Sequence, residues 1–139
     1  MGFPGRVSES MAGQAPAQLL VTRLVPEQWA IYRQVRLAAL TDAPYAFGST
    51  LERELTFGDD LWQQRISRAA TFLALLDGHP VGTATAIADD PDDEFAVPGA
   101  WQLVGMWVAA GARGRGVADR LVEAVADHVR GAGSPTLVR

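Results

Sequence analysis

The chain contains no cysteine and no lysine; all 12 of its basic residues are arginine. Without thiols it has no disulfide, no thiolate nucleophile and no thiolate zinc site, which fits a reducing cytoplasm as the expected location. Without lysine it cannot complete a G-x-x-x-x-G-K-[ST] nucleotide loop. Histidine is scarce as well. His79 stands beside a turn signal and His128 late in a helical pattern, with no metal-ligand spacing, so no metal is expected. Residues 1–17 hold no apolar block long enough for a signal peptide or a membrane span, and Arg6 occupies the place where Met1-Gly2 would need Ser or Thr for myristoylation. Membrane attachment is therefore not expected. The net charge of −4 offers no cationic footprint for nucleic acid.

What is present is a chain of 139 residues, 48% hydrophobic, enough for one domain with a real core. Residues 1–17 are rich in Gly, Pro, Ser and Ala and are expected to be a disordered arm, with Met11 an alternative start. The domain is expected over 18–139. Leu19 to Leu24 alternates like a strand, and Pro26 opens a helical pattern through Trp29, Tyr32, Val35, Ala39 and Leu40, stopped by Asp42-Ala43-Pro44. A second helix is expected over Asp59 to Arg68, with Leu61, Trp62, Ile66 and Ala69 as its buried face. Thr71 to Leu76 and Pro80 to Ala88 read as two strands joined by the hairpin signal Asp77-Gly78. After an acidic loop (Asp89, Asp90, Asp92, Asp93, Glu94), Trp101 to Val108 reads as a central strand. Gly116 to Arg130 is an amphipathic helix with a stripe of Val117, Leu121, Ala124, Val125 and His128, ended by Gly131 and Gly133; Pro135 to Val138 begins another strand.

The most informative segment joins the last two of these elements. Arg113-Gly114-Arg115-Gly116-Val117-Ala118 is a glycine-rich turn between a strand and a helix N-terminus. Glycine lets backbone approach a ligand closely, and the first amides of a helix have no intrahelical acceptor, so anionic oxygens bind there. As a dinucleotide fingerprint the turn is poor: the third small residue would fall on Asp119, and the expected acid about 20 positions later falls on Ser134. As Q/R-x-x-G-x-G/A it fits at Arg113, Gly116 and Ala118.

That pattern resembles the acyl-CoA pyrophosphate loop of the GNAT family of N-acetyltransferases. The resemblance extends through Val104 to Val122 as strand, loop and helix, and upstream through Arg36 to Thr50 as a first helix and acceptor-side loop, running from about Leu19 to the end. Ala110 departs from it, since many members carry proline there. The resemblance implies an α/β fold with a mixed central sheet flanked by helices, and acetyl-CoA as co-substrate. It implies that Arg113, Gly114, Arg115, Gly116, Val117 and Ala118 hold the pyrophosphate, mainly by backbone amides. It implies further that the strand edge at Met106, Trp107 and Val108 pairs with the pantetheine, an N–H near Val108 polarising the thioester carbonyl.

The acceptor implied is an amine of a small molecule or peptide. A lysine-like amine costs about 4 to 5 kcal/mol to deprotonate at pH 7, an α-amine about 1. Members often place a glutamate on the fourth strand for this task; Trp101 to Val108 has only Gln102. Glu94 or a neighbouring aspartate as proton relay, or a low-pKa acceptor, is the expectation that replaces it. Against the family pattern the chain stops in the fifth strand, so the C-terminal strands and a helix that often carries a proton-donating tyrosine are expected to be missing. An exposed Leu137-Val138 edge then favours association, including as a homodimer. The alternatives are an inactive acyl-CoA-binding remnant and a small interaction protein. Tyr45 and Phe47 are the aromatic residues expected to touch substrate, and Trp29, Tyr32 and Trp62 to serve the core.

Overall fold

The computed structural model describes residues 18–89, 94, 99–133 and the backbone of 137–138. The expectations for residues 1–17, Asp90, Asp92, Asp93 and Pro135 fall outside them. The elements in order are β1 (Leu19–Arg23), α1 (Trp29–Asp42), α2 (Leu51–Leu55), α3 (Asp59–Arg68), β2 (Ala70–Leu76), β3 (His79–Ala88), β4 (Trp101–Val108), α4 (Val117–Gly131) and β5 (Leu137–Val138). Pro26 opens a 3-10 turn ahead of α1, where its missing N–H costs no hydrogen bond.

The sheet runs β1-β2-β3-β4-β5, antiparallel through β4 and parallel between β4 and β5. At the β2–β3 hairpin Asp77 and Gly78 take φ of 50° and 82°, the left-handed pair whose twist suits a two-residue connection. The period-2 alternation of the strands sends side chains to two layers. On one face Val117, Leu121, Val125 and Val129 of α4 pack on Phe72, Ala74, Ala84 and Ala86. On the other, Tyr32, Val35 and Ala39 of α1 and Trp62 and Ile66 of α3 pack on Leu73 and Trp107. Each fully buried Leu or Val contributes about 1.5 to 3 kcal/mol relative to exposure.

Small residues set the α4 approach. A Cβ added to Gly82 would stand 2.9 Å from the Trp107 carbonyl oxygen and 3.2 Å from both Leu121 and Val117. The helix can sit this close only because β3 has no side chain there.

Three expected details change. Leu61 is exposed rather than buried, because α3 turns Trp62 and Ile66 inward and Leu61 lies off their line. The α4 stripe is Val117, Leu121, Val125 and Val129, with Ala124 and His128 at its margin. His128 is packed edge-on to Trp101 (5.4 Å) and Phe72 (6.0 Å), and burial together with the nearby Arg23 lowers its pKa. The five-residue α2 was not expected; Thr50 caps it by accepting the Arg53 amide (3.1 Å).

Candidate active site

Two features meet at β4. The first is a bulge: Thr83 pairs with Trp107 but Thr85 with Val104, so β4 carries one residue more than β3 across this interval. Gly105 absorbs it with φ of 62°, a conformation a side chain would strain. The second is the loop that follows. Gly114 and Gly116 take φ of 80° and 79°, and Gly116 is the N-cap of α4. The first backbone bond of α4 runs from the Arg120 amide to the Gly116 carbonyl (3.1 Å), so the amides of Val117, Ala118 and Asp119 have no helical acceptor. These amides and the positive end of the α4 dipole share one surface, an arrangement whose charge suits an anion.

The loop is tied down from behind. Arg113 is turned back from that surface: its Nε donates to the Val108 carbonyl (3.0 Å) and its Nη2 to Asp42 Oδ2 (3.0 Å). Trp107 Nε1 donates to the same Asp42 oxygen (2.9 Å), so the end of α1, β4 and the loop share one carboxylate. Arg113 thus acts through position here. Gly114, Arg115, Gly116 and Ala118 are exposed, whereas the Val117 side chain belongs to the core.

On β4, Met106 and Val108 pack toward α4 and Trp107 toward α1 and α3, leaving backbone as what these three can offer a ligand. The Ala109 amide donates to the Val81 carbonyl (2.7 Å). Strand alternation then turns the Val108 N–H the other way, toward the edge that, among the described residues, β5 pairs at Trp101 and Gln102.

Across the sheet from α4 lies a cavity of about 590 Å³. Its walls include Tyr32 and Phe47, and its floor Thr71, Thr85, Val104 and Gly105, so it opens onto the bulge. The Thr71 and Thr85 hydroxyls are buried and hydrogen-bonded at 3.1 Å. Tyr45, expected at a substrate, is fully exposed and outside this lining; Phe47 is in it, beneath the Arg36 guanidinium at 4.8 Å.

Arg36, Arg65 and Arg68 also line the cavity. Behind them Glu54, 1% exposed, accepts from Arg36 Nε (2.9 Å) and Nη2 (3.0 Å) and from Arg65 Nη1 (2.9 Å). Burial alone would raise the Glu54 pKa, but hydrogen bonds from Arg36, Ser49 and Arg65 outweigh it and hold the carboxyl at about 2. A group so acidic is no general base at neutral pH. The sequence reading missed this cluster. The available signal was Arg36 itself, four residues from both Tyr32 and Leu40 on the apolar stripe of α1.

In the acidic loop, Asp89 accepts a hydrogen bond from Gln102 Nε2 (2.8 Å) and Glu94 is exposed. Among the described residues no three His, Asp or Glu side chains come together to hold a metal ion, and no helix is long and apolar enough to cross a membrane.

The profile of the "Acetyltransferase (GNAT) family" matches residues 17–138. The chain belongs to this acetyltransferase family. Its fold is similar to solved acetyltransferase structures. An aminoglycoside acetyltransferase from an uncultured soil metagenomic sample is 20% identical, with 88% of this chain and 79% of that one covered and a TM-score of 0.69. A GNAT acetyltransferase from Brucella melitensis, solved with acetyl-CoA, is 22% identical over 84% of this chain and 71% of that one, with a TM-score of 0.63. A GNAT N-acetyltransferase from Ralstonia eutropha is 13% identical over 87% and 82%, with a TM-score of 0.65. No match was found among curated protein sequences. At these identities the structures speak to the fold, and the mixed α/β architecture expected from the sequence is the one observed.

Proposed function

We propose that the protein is a cytoplasmic N-acetyltransferase that moves the acetyl group of acetyl-CoA to an amine of a small molecule or peptide. The observation that carries this reading is the loop between β4 and α4, where two left-handed glycines lead into a helix whose first amides, those of Val117, Ala118 and Asp119, have no helical acceptor. In this reading Gly114, Arg115, Gly116, Val117 and Ala118 hold the pyrophosphate through their backbone, and Arg113 fixes the loop against Asp42. The backbone edge of Met106, Trp107 and Val108 meets the pantetheine, the Val108 N–H facing the developing oxyanion. Solved relatives with CoA and acetyl-CoA support the choice of donor.

The amine nitrogen attacks the thioester carbonyl, the C–S bond breaks, and the departing thiolate takes up the proton the nitrogen loses. Glu54, locked between arginines, is not the base. The relay expected of Glu94 stands on its exposure alone, and turnover of Glu94→Gln that matches the parent at every pH removes it.

The donor site is tested by thermal unfolding with and without CoA. Saturation near 100 times Kd stabilises a folded protein by about 2.7 kcal/mol. The parent should show such a shift, together with amine-dependent release of CoA thiol, and Gly116→Trp should show neither. A parent that CoA leaves unshifted sinks the reading; a shift without thiol release identifies an acyl-CoA-binding protein instead.

A further inference from the structure

The charge of the cavity selects among amines. Arg36, Arg65 and Arg68 line it, and no carboxylate among the described residues does. Glu54 compensates from behind, so among the described residues one carboxylate stands against three guanidiniums. Arg36 gives Nε and Nη2 to Glu54, while its Nη1 faces the bulge, 3.8 Å from where a Gly105 Cβ would stand. Arg68, at the end of α3, has no ion pair among the described residues.

Arg68 is exposed and hydrated, and a ligand that covers it desolvates a cation, which is costly unless an anion meets it. An acceptor with its own anionic group would supply that partner, whereas a polycation such as an aminoglycoside would be repelled. Between Thr71 on β2 and the Gly105 bulge on β4 lie two strand spacings, about 10 Å, room for one amino-acid-sized molecule. Phe47 and Tyr32 provide an apolar wall for its body.

Resting on the acetyltransferase reading above, we propose that this cavity binds a small amine carrying an anionic oxygen group, a carboxylate or a phosphate, with Arg68 and the free edge of Arg36 as its recognition elements. The amine lies at the β4 bulge and the anion toward α3. Arg guanidinium groups recognise either anion through paired N–H donors.

The test uses the full chain and matched acceptors: L-phenylalanine against L-phenylalaninamide, O-phosphoethanolamine against ethanolamine, and kanamycin as polycation. CoA release should show a KM on the order of tenfold lower for the anionic member of at least one pair, the value expected for a charged hydrogen bond. The pair that responds distinguishes carboxylate from phosphate, and kanamycin should be the poorest acceptor. In Arg68→Gln the anionic-to-neutral KM ratio should collapse while the KM for acetyl-CoA stays in place. If no acceptor turns over, thermal shifts of the CoA-loaded protein decide: greater stabilisation by the anionic member upholds the inference. Equal or better use or binding of the neutral partners, or preference for kanamycin, overturns it while the donor site stands. Absence of any CoA shift overturns the donor site itself.

Discussion

Removing the Glu54 carboxylate without changing its shape isolates the energetics of the buried arginine cluster. Glu54→Gln leaves the Arg36 guanidinium, itself 8% exposed, without its anion. Breaking a buried pair from one side typically costs about 3 to 5 kcal/mol, because the remaining charge stays desolvated. The proton linkage gives an independent value. A carboxyl held at about 2 instead of 4.5 contributes roughly 3 kcal/mol at pH 7. Because the folded pKa is depressed, that contribution is complete above pH 4.5 and fades as the pH falls toward 2. Against a domain stability of about 5 to 15 kcal/mol, the loss lowers the melting temperature by roughly 10 °C. Urea unfolding should therefore separate Glu54→Gln from the parent at pH 7, and the gap should narrow steadily below pH 4.5. Replacing both partners, Arg36→Met with Glu54→Leu, should recover most of the loss, since Arg65 can turn to solvent. Equal stability of Glu54→Gln and the parent at pH 7, or a gap that ignores pH, would refute the argument.

Gly82→Ala should cost about 1 to 3 kcal/mol in urea unfolding, since the new Cβ meets a backbone carbonyl at 2.9 Å that cannot swing away. Asp42→Ala removes the acceptor shared by Trp107 and Arg113; the expected stability loss is about 1 kcal/mol, with several-fold weaker CoA binding by calorimetry because the loop loses its brace. His128 has a folded pKa below 6.5, so its protonation destabilises the fold as pH falls through that value. His128→Phe should flatten this part of the stability profile between pH 8 and 5, and an unchanged slope would assign it elsewhere.

How legible each part was depended on where its causes lay along the chain. The expected boundaries of α3 and β4 match those observed, because helical spacing of Trp62 and Ile66 and the apolar run to Val108 are local signals. The Asp77-Gly78 turn and the Arg113 to Ala118 loop are local too: left-handed backbone demands residues that tolerate it. α2 escaped because five residues cannot establish a period, and the β4 bulge because one glycine in a strand does not say which partner residue it skips.

By itself the sequence determined the family, the order of the strands and longer helices, and the glycine-rich turn ahead of α4, since each is written in neighbouring residues. Only the tertiary structure assembled the arginine cluster and the cavity beside it. Arg36, Glu54 and Arg65 lie 18 and 11 residues apart and read singly as surface charges. Folding α1, α2 and α3 onto one face of the sheet brings them within 3 Å and buries Glu54 between them, where two cations and one anion acquire a meaning that no spacing along the chain could give.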